Sequence, residues 1–389
     1  MSGVRRSFRE GLAASWGTFV ASRLAIVVVG LLSVAAVAPL EAVSVPGWPA
    51  PPFPPTPGWH AIATAWERFD ALWFLRIADA GYRAADGSAA FFPGFPLAVR
   101  AVAWVLGGRP LAAGLLVANL AFLAALVALH ALTAAERGGG TARATVAILC
   151  WFPTSVFFLM PYSESLFLAA VAVAFLSWRR ERWWLACAAA LVAALTRNVG
   201  VLLVPAFLAE AAAASRRGGL RSALRPLAIA GSAGVGFVSY LLWWRARGDL
   251  LAPFSAQANW QRELTAPWTT IADAVGVAFS RLGTTNGGYW MFDLVLFVVV
   301  VVGAVWATRR LSAGLVIYTW GGLLLPLLVP FPGRPLMSVP RLVLPLFPAF
   351  WGLADLGHRL RLPSWALPVA GAVGLGAVTL LVVNGYYIF

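Results

Sequence analysis

The stretch Leu111–Leu132, LAAGLLVANLAFLAALVALHAL, holds 22 residues without one charge. At about 1.5 Å per residue, a helix of that length crosses a hydrocarbon core of about 30 Å. A second run, Val295–Val302, contains only Val, Leu and Phe. Transmembrane β-barrels show short segments of alternating polarity instead, so these runs specify helices. The composition agrees. Of 389 residues, 61% are apolar and 11% charged, and the mean hydropathy is +0.81. Soluble domains carry about 25% charged residues, and disordered chains lack the apolar residues abundant here. The fold class is an all-α polytopic membrane protein.

The formal net charge of +14 would suggest nucleic acid in a soluble protein. Here the arginines form short clusters between apolar runs, as in cytoplasmic loops of membrane proteins, and no nucleic-acid partner is expected. All 29 basic residues are Arg, in keeping with the codon usage of a GC-rich bacterial source. Without Lys, Schiff-base and lysine-base mechanisms are excluded. Cys150 and Cys187 lie inside apolar runs, and His60, His130 and His358 are scattered. Neither a disulfide framework nor a zinc site is supported.

Arg5, Arg6 and Arg9 precede an apolar run from about Thr18 to Leu40. This run is longer than the roughly 7–15-residue core of a signal peptide and reads as an uncleaved first helix with a cytoplasmic N-terminus. A long first outer loop of about 41–108 follows. It is Pro-rich from Pro46 to Pro57, then aromatic and basic over Trp59–Tyr82 and Phe91–Leu106, as suits juxtamembrane helices. Further spans are expected at about 111–135, 144–160, 163–178, 183–196, 199–214, 226–245, 290–308, 313–330, 339–356 and 365–386.

With these, about eleven transmembrane helices, five clusters fall on the cytoplasmic side: Arg137 with Arg143, Arg179–Arg182, Arg216–Arg225, Arg309 with Arg310, and Arg359 with Arg361. Reading Phe95–Leu106 as a span would place them outside, against the positive-inside rule. The two spans within 183–214 are too short to cross fully, and a recess reaching Arg197 would resolve that. The expectation is one integral membrane domain, 1–389, in a bacterial plasma membrane.

On this topology the remaining polar residues gather on the outer side. They are Asp70, Arg76, Asp79 and Tyr82, then Tyr162-Ser163-Glu164, then Arg197-Asn198. A second outer loop of about 247–289 adds Gln257, Trp260, Gln261, Arg262 and Glu263, and Arg334 and Arg341 follow. Ionisable residues at membrane depth are costly and mark function, so one outward polar cavity is expected. Two alternatives stand beside it. Glu164 could pair with Arg197 merely to join two helices, or the cavity could belong to a transporter or lipid-carrier translocase. Transporters often show repeat halves with matched broken helices; this chain shows no such symmetry. Its polar weight lies in the long outer loops, as chemistry at the membrane surface requires.

Three ordered motifs carry a resemblance. The first runs from Trp66-Glu67-Arg68-Phe69-Asp70 through Ile77-Ala78-Asp79-Ala80-Gly81-Tyr82 to Phe91-Phe92-Pro93-Gly94-Phe95-Pro96. The second joins Phe152-Pro153 to Pro161-Tyr162-Ser163-Glu164-Ser165-Leu166-Phe167, and the third is Leu195-Thr196-Arg197-Asn198-Val199-Gly200. Together, over about residues 60–210, they resemble the PIG-V-type mannosyltransferases of the GT-C class. That resemblance implies a GT-C-like fold and a lipid-linked sugar donor. Many GT-C enzymes carry an acidic pair such as Asp-x-Asp in the first loop. Here Asp70 stands without that partner and Asp79 is too far along, so no metal cofactor is expected.

Glycosyl transfer from a polyprenyl phosphate releases phosphate, which leaves without a general acid. What it needs is one carboxylate to take the acceptor's proton and positive charge to stabilise the departing phosphate. Asp70, beside Phe69 and Trp73, is the candidate base; its competing role is to cap the helix that follows. Arg341 and Arg197 are the first candidates for phosphate, since guanidinium binds its oxygens bidentately, with Arg334 and Arg262 behind them. Arg341 could instead be a snorkelling flank of its span. Arg76, Tyr82, Tyr162, Glu164, Asn198, Gln257 and Trp260 complete the expected substrate-binding set, with Phe92 and Tyr289 as further stacking candidates. The expected reaction moves a hexose, mannose by the resemblance, from a polyprenyl-phosphate donor to a glycan or glycolipid acceptor, with inversion.

Overall fold

The computed structural model describes residues 2–37, 59–83, 86–256, 262–284 and 287–386. Among the described residues the regular structure is helical; an isolated bridge pairs Phe331 with Arg334. Six described helices are long and apolar enough to cross a membrane: Arg9–Ala36, Pro110–Arg137, Asn198–Gly218, Leu220–Arg245, Gly288–Thr308 and Ala366–Val383. Gly94–Val105, Trp183–Thr196 and Ala313–Leu328 are shorter apolar helices. The chain is a multi-pass membrane protein.

Proline decides where two expected spans stop being single helices. The segment expected at 144–160 is helical from Gly139 to Trp151, and Phe152 then turns extended (φ −60°, ψ 143°) ahead of Pro153. A residue before proline is pushed out of the helical region, so the chain re-enters only as a short 3-10 turn, Ser155–Phe158. The segment expected at 339–356 divides into Val339–Leu342 and Phe347–Arg359, with Pro345 between them and Pro348 in the second helix's first turn. Proline lacks the N–H that a continuous helix needs at these positions.

Residues up to Ala172, with those from Pro363 onward, pack as one unit; Val173–Leu362 pack as another. In the first unit the last helix returns to the first, where Asn384 donates to the Ser33 hydroxyl at 2.6 Å. Small residues admit the long loop's aromatic motif. A Cβ on Gly30 would stand 2.6 Å from the Trp66 ring. One on Gly114 would meet Pro161 at 2.8 Å and Leu75 at 3.0 Å. The first and second motifs therefore meet at the Pro110–Arg137 helix.

The non-helical backbone after Trp151 is satisfied by side chains, as irregular structure at membrane depth must be. Arg23 is buried in the first helix. It donates to the Ser155 hydroxyl at 3.0 Å and lies 4.9 Å from the Phe122 ring centroid. Asn119 donates to the Leu159 carbonyl at 3.0 Å.

In the second unit Arg179 meets the buried Glu210 at 3.3 Å and the Ser312 hydroxyl at 3.1 Å. The Tyr318 hydroxyl donates to the Pro345 carbonyl at 3.0 Å, at the break between the two helices.

Candidate functional site

Asp70 opens the Asp70–Ala80 helix, whose buried face carries Leu72, Trp73, Leu75 and Ile77. The N-cap position falls on Phe69 rather than on Asp70. Phe69 sits at φ 55°, ψ −123°, a region that L side chains rarely occupy. Such a residue costs about 1–3 kcal/mol and persists only where its surroundings over-determine it.

The surroundings are specific. Arg68 is fully buried, and its Nε donates to the Val383 carbonyl at 3.0 Å. Its Nη1 donates to the Thr64 and Glu67 carbonyls at 2.9 and 3.1 Å. Tyr162, also fully buried, donates its hydroxyl to the Arg68 carbonyl at 3.0 Å. Burial pulls the Arg68 guanidinium down to about 10, with the Glu67 charge opposing it, so Arg68 stays cationic at neutral pH. Burial likewise pushes the Glu67 carboxyl up, only partly offset by Arg68.

Nearly two turns into the helix, Arg76 pairs with Asp86 at 2.6 Å and lies 4.6 Å from the Trp73 ring centroid. Asp86 also accepts the Ser88 N–H at 2.9 Å. Burial raises the Asp86 carboxyl, but hydrogen bonds from Arg76 and Ser88 and the Arg76 charge outweigh that and hold it below its ordinary range. The Tyr82 hydroxyl donates to the Phe91 carbonyl at 2.7 Å. Phe91 in turn stacks on Trp73 at 5.4 Å and meets Phe74 edge-on at 5.1 Å. Asp79 is exposed, and its carbonyl accepts from Arg100 at 2.9 Å. Glu164 is fully buried at the start of its helix, and Ser163 is nearly so. The first unit thus sets Asp70, Arg76 and Tyr82 on and just after one helix, with Tyr162 bonded to the carbonyl of Arg68 ahead of it and part of their polar capacity spent on loop geometry.

Within the second unit, Arg197 lies at the C-terminal end of the Trp183–Thr196 helix in extended conformation (φ −150°, ψ 150°). Its carbonyl accepts the Gly200 N–H at 2.9 Å. Asn198 is exposed, its side-chain oxygen accepting the Val199 N–H at 2.8 Å. Arg341 is nearly buried in the short Val339–Leu342 helix, which follows Ser338 in the left-handed region (φ 70°). Arg334 meets the buried Asp293 at 2.7 Å, below the Tyr289 and Trp290 rings at 5.5 and 5.7 Å. Arg262 donates to the Val329 carbonyl at 3.0 Å. Gln257, Trp260 and Gln261 lie outside the described residues.

Sequence reasoning missed Arg68, Asp86 and Asp293. Asp293 had a signal, being one acid at the head of a long apolar run, and Arg68 stands inside the first motif. Asp86 had none, since only the folded loop brings it to Arg76.

The family profile of Mannosyltransferase (PIG-V) matches residues 19–207, the stretch that holds all three motifs. The chain is similar in fold to ArnT from Cupriavidus metallidurans, solved bound to undecaprenyl phosphate. The TM-score is 0.51 at 14% identity, covering 96% of this chain and 77% of that one. An Archaeoglobus fulgidus oligosaccharyltransferase, solved in complex with Zn and sulfate, aligns with a TM-score of 0.43 at 11% identity, over 94% of this chain and 53% of that one. No curated protein matches the sequence. The matched segment is just under half of the chain, 189 of 389 residues, and supports a membrane glycosyltransferase; the likeness to ArnT shows a shared fold.

Proposed function

We propose that this glycosyltransferase moves mannose from a polyprenyl-phosphate donor to a glycan or glycolipid acceptor on the non-cytoplasmic face, with inversion at the anomeric carbon. The observation that carries the reading is the match of residues 19–207 to mannosyltransferases, with Asp70 held at the mouth of its helix by a constrained turn. That ArnT was solved with undecaprenyl phosphate supports a lipid-phosphate donor in the same fold.

The reaction balances simply. The acceptor hydroxyl gives its proton to Asp70, and its oxygen forms the new bond to the anomeric carbon. The bond from that carbon to the phosphate oxygen breaks, and its electron pair leaves with the polyprenyl phosphate. Attack from the face opposite the leaving group inverts the centre, as in the inverting scheme of glycosidases. Arg341 and Arg197 balance the charge that develops on phosphate. Arg334 and Arg262 serve the backbone around them, through Asp293 and the Val329 carbonyl. No step requires a metal.

The test is transfer by purified protein in lipid vesicles, offered polyprenyl-phosphate mannose or polyprenyl-phosphate glucose. A mannosylated product with little glucosylated product supports the reading. Preference for glucose overturns the sugar assignment, and donor binding without transfer to any acceptor overturns the enzyme reading in favour of a carrier.

A further inference from the structure

We infer that Arg68 and Tyr162 form a latch that sets the position of Asp70 for proton abstraction; the inference rests on the reading of Asp70 as the base. Two remote parts of the chain converge on the peptide preceding the turn. The Arg68 side chain reaches the Val383 carbonyl, 315 residues further on, at 3.0 Å. The Arg68 carbonyl accepts the hydroxyl of Tyr162, 94 residues further on, at 3.0 Å. Both side chains are fully buried, so neither bond is in exchange with bulk water. Nη1 closes the grip from below, on Thr64 and Glu67 at 2.9 and 3.1 Å.

Immediately after this gripped peptide comes Phe69 at φ 55°, ψ −123°, and then Asp70. Relaxation of Phe69 to an ordinary backbone conformation would redirect the Cα–Cβ bond of Asp70. The latch opposes that relaxation, because it fixes the peptide on one side of Phe69 while the helix fixes the other. Catalysis is sensitive to such placement, since a shift of about 1 Å from a remote substitution can cost about 10²-fold. These bonds are made to backbone carbonyls, and Arg68 and Tyr162 act through them as positioning residues.

Tyr162→Phe removes one hydroxyl and keeps the ring against Phe157 and Phe74, at centroid distances of 5.0 and 6.3 Å. The expected result is a kcat for mannose transfer lower by about 10- to 100-fold, with KM for the donor little changed. Introduced into Asp70→Asn, the same substitution adds no further loss, because no base remains to be misplaced. Arg68→Lys, whose ammonium replaces the forked guanidinium, repeats the pattern. Equal losses from Tyr162→Phe in both backgrounds would show a purely structural role and overturn the latch. Wild-type kcat in Tyr162→Phe, while Asp70→Asn is inactive, overturns the latch and spares the base. Full activity in Asp70→Asn overturns both.

Discussion

The Arg334 guanidinium lies 2.7 Å from the Asp293 carboxylate, with both side chains closed to solvent. Around this pair the backbone turns sharply. Gly333 stands at φ 74°, its carbonyl accepts the Trp290 indole at 2.8 Å, and Ser338 leads into the short helix of Arg341. The pair is thus the anchor of the segment that carries the expected phosphate ligand.

Breaking a buried ion pair from one side leaves an uncompensated charge, at a cost of about 3–5 kcal/mol. Asp293→Ala is therefore expected to lose about that much, measured as heat or denaturant unfolding in detergent. Replacing both partners by apolar residues, Asp293→Leu with Arg334→Met, is expected to recover most of it. A double variant as unstable as the single one would show that the pair is not the source of the loss.

Phe69 separates side chain from backbone. Both Phe69→Ala and Phe69→Gly lose the ring, but only glycine adopts φ 55° without steric cost. The glycine variant is expected to be more stable than the alanine variant by about 1 kcal/mol. The reverse order in thermal unfolding would mean that the turn carries no strain.

The Arg76–Asp86 pair gives a pH signature. Its carboxyl is held below the ordinary range, so the stability it contributes is fully present above the unfolded pKa of about 3.9. That stability is lost as pH falls through the lower native value. Asp86→Asn is expected to lower the unfolding temperature at about pH 7, by an amount equivalent to about 1 kcal/mol or less. Wild type and variant should converge once pH has fallen below that native value. A gap that persists at low pH would remove ionisation from the explanation.

Gly200 tests the third motif. A Cβ there would stand 2.6 Å from both the Ala193 carbonyl oxygen and the Ala194 Cα, and backbone cannot swing aside. Gly200→Ala is expected to cost about 1–3 kcal/mol and to weaken donor binding by displacing Arg197. Unchanged stability would mean that the two helices part without penalty.

The sequence showed most of the helical layout because apolar runs and arginine clusters are long, local signals. Trp183–Thr196 begins and ends where the expected span does. The failures have local causes too. Hydropathy does not register Pro153 or Pro345, so 144–160 and 339–356 looked continuous where the backbone breaks. The site was legible only in residue type. That Asp70 opens a helix is near to what its sequence suggested. That Tyr162 spends its hydroxyl on Arg68, and Arg76 its charge on Asp86, depends on folding over tens to hundreds of residues. No window along the chain contains those pairings.

Whether Asp70 is the base is decided by one comparison. Mannose transfer from polyprenyl-phosphate mannose is measured in vesicles holding equal amounts of wild type or Asp70→Asn. The carboxamide keeps the size of the side chain but cannot take the acceptor's proton, and losing a general base costs about 10²–10⁴-fold. A loss of that size, with donor binding intact, is the predicted result; transfer at the wild-type rate would contradict it.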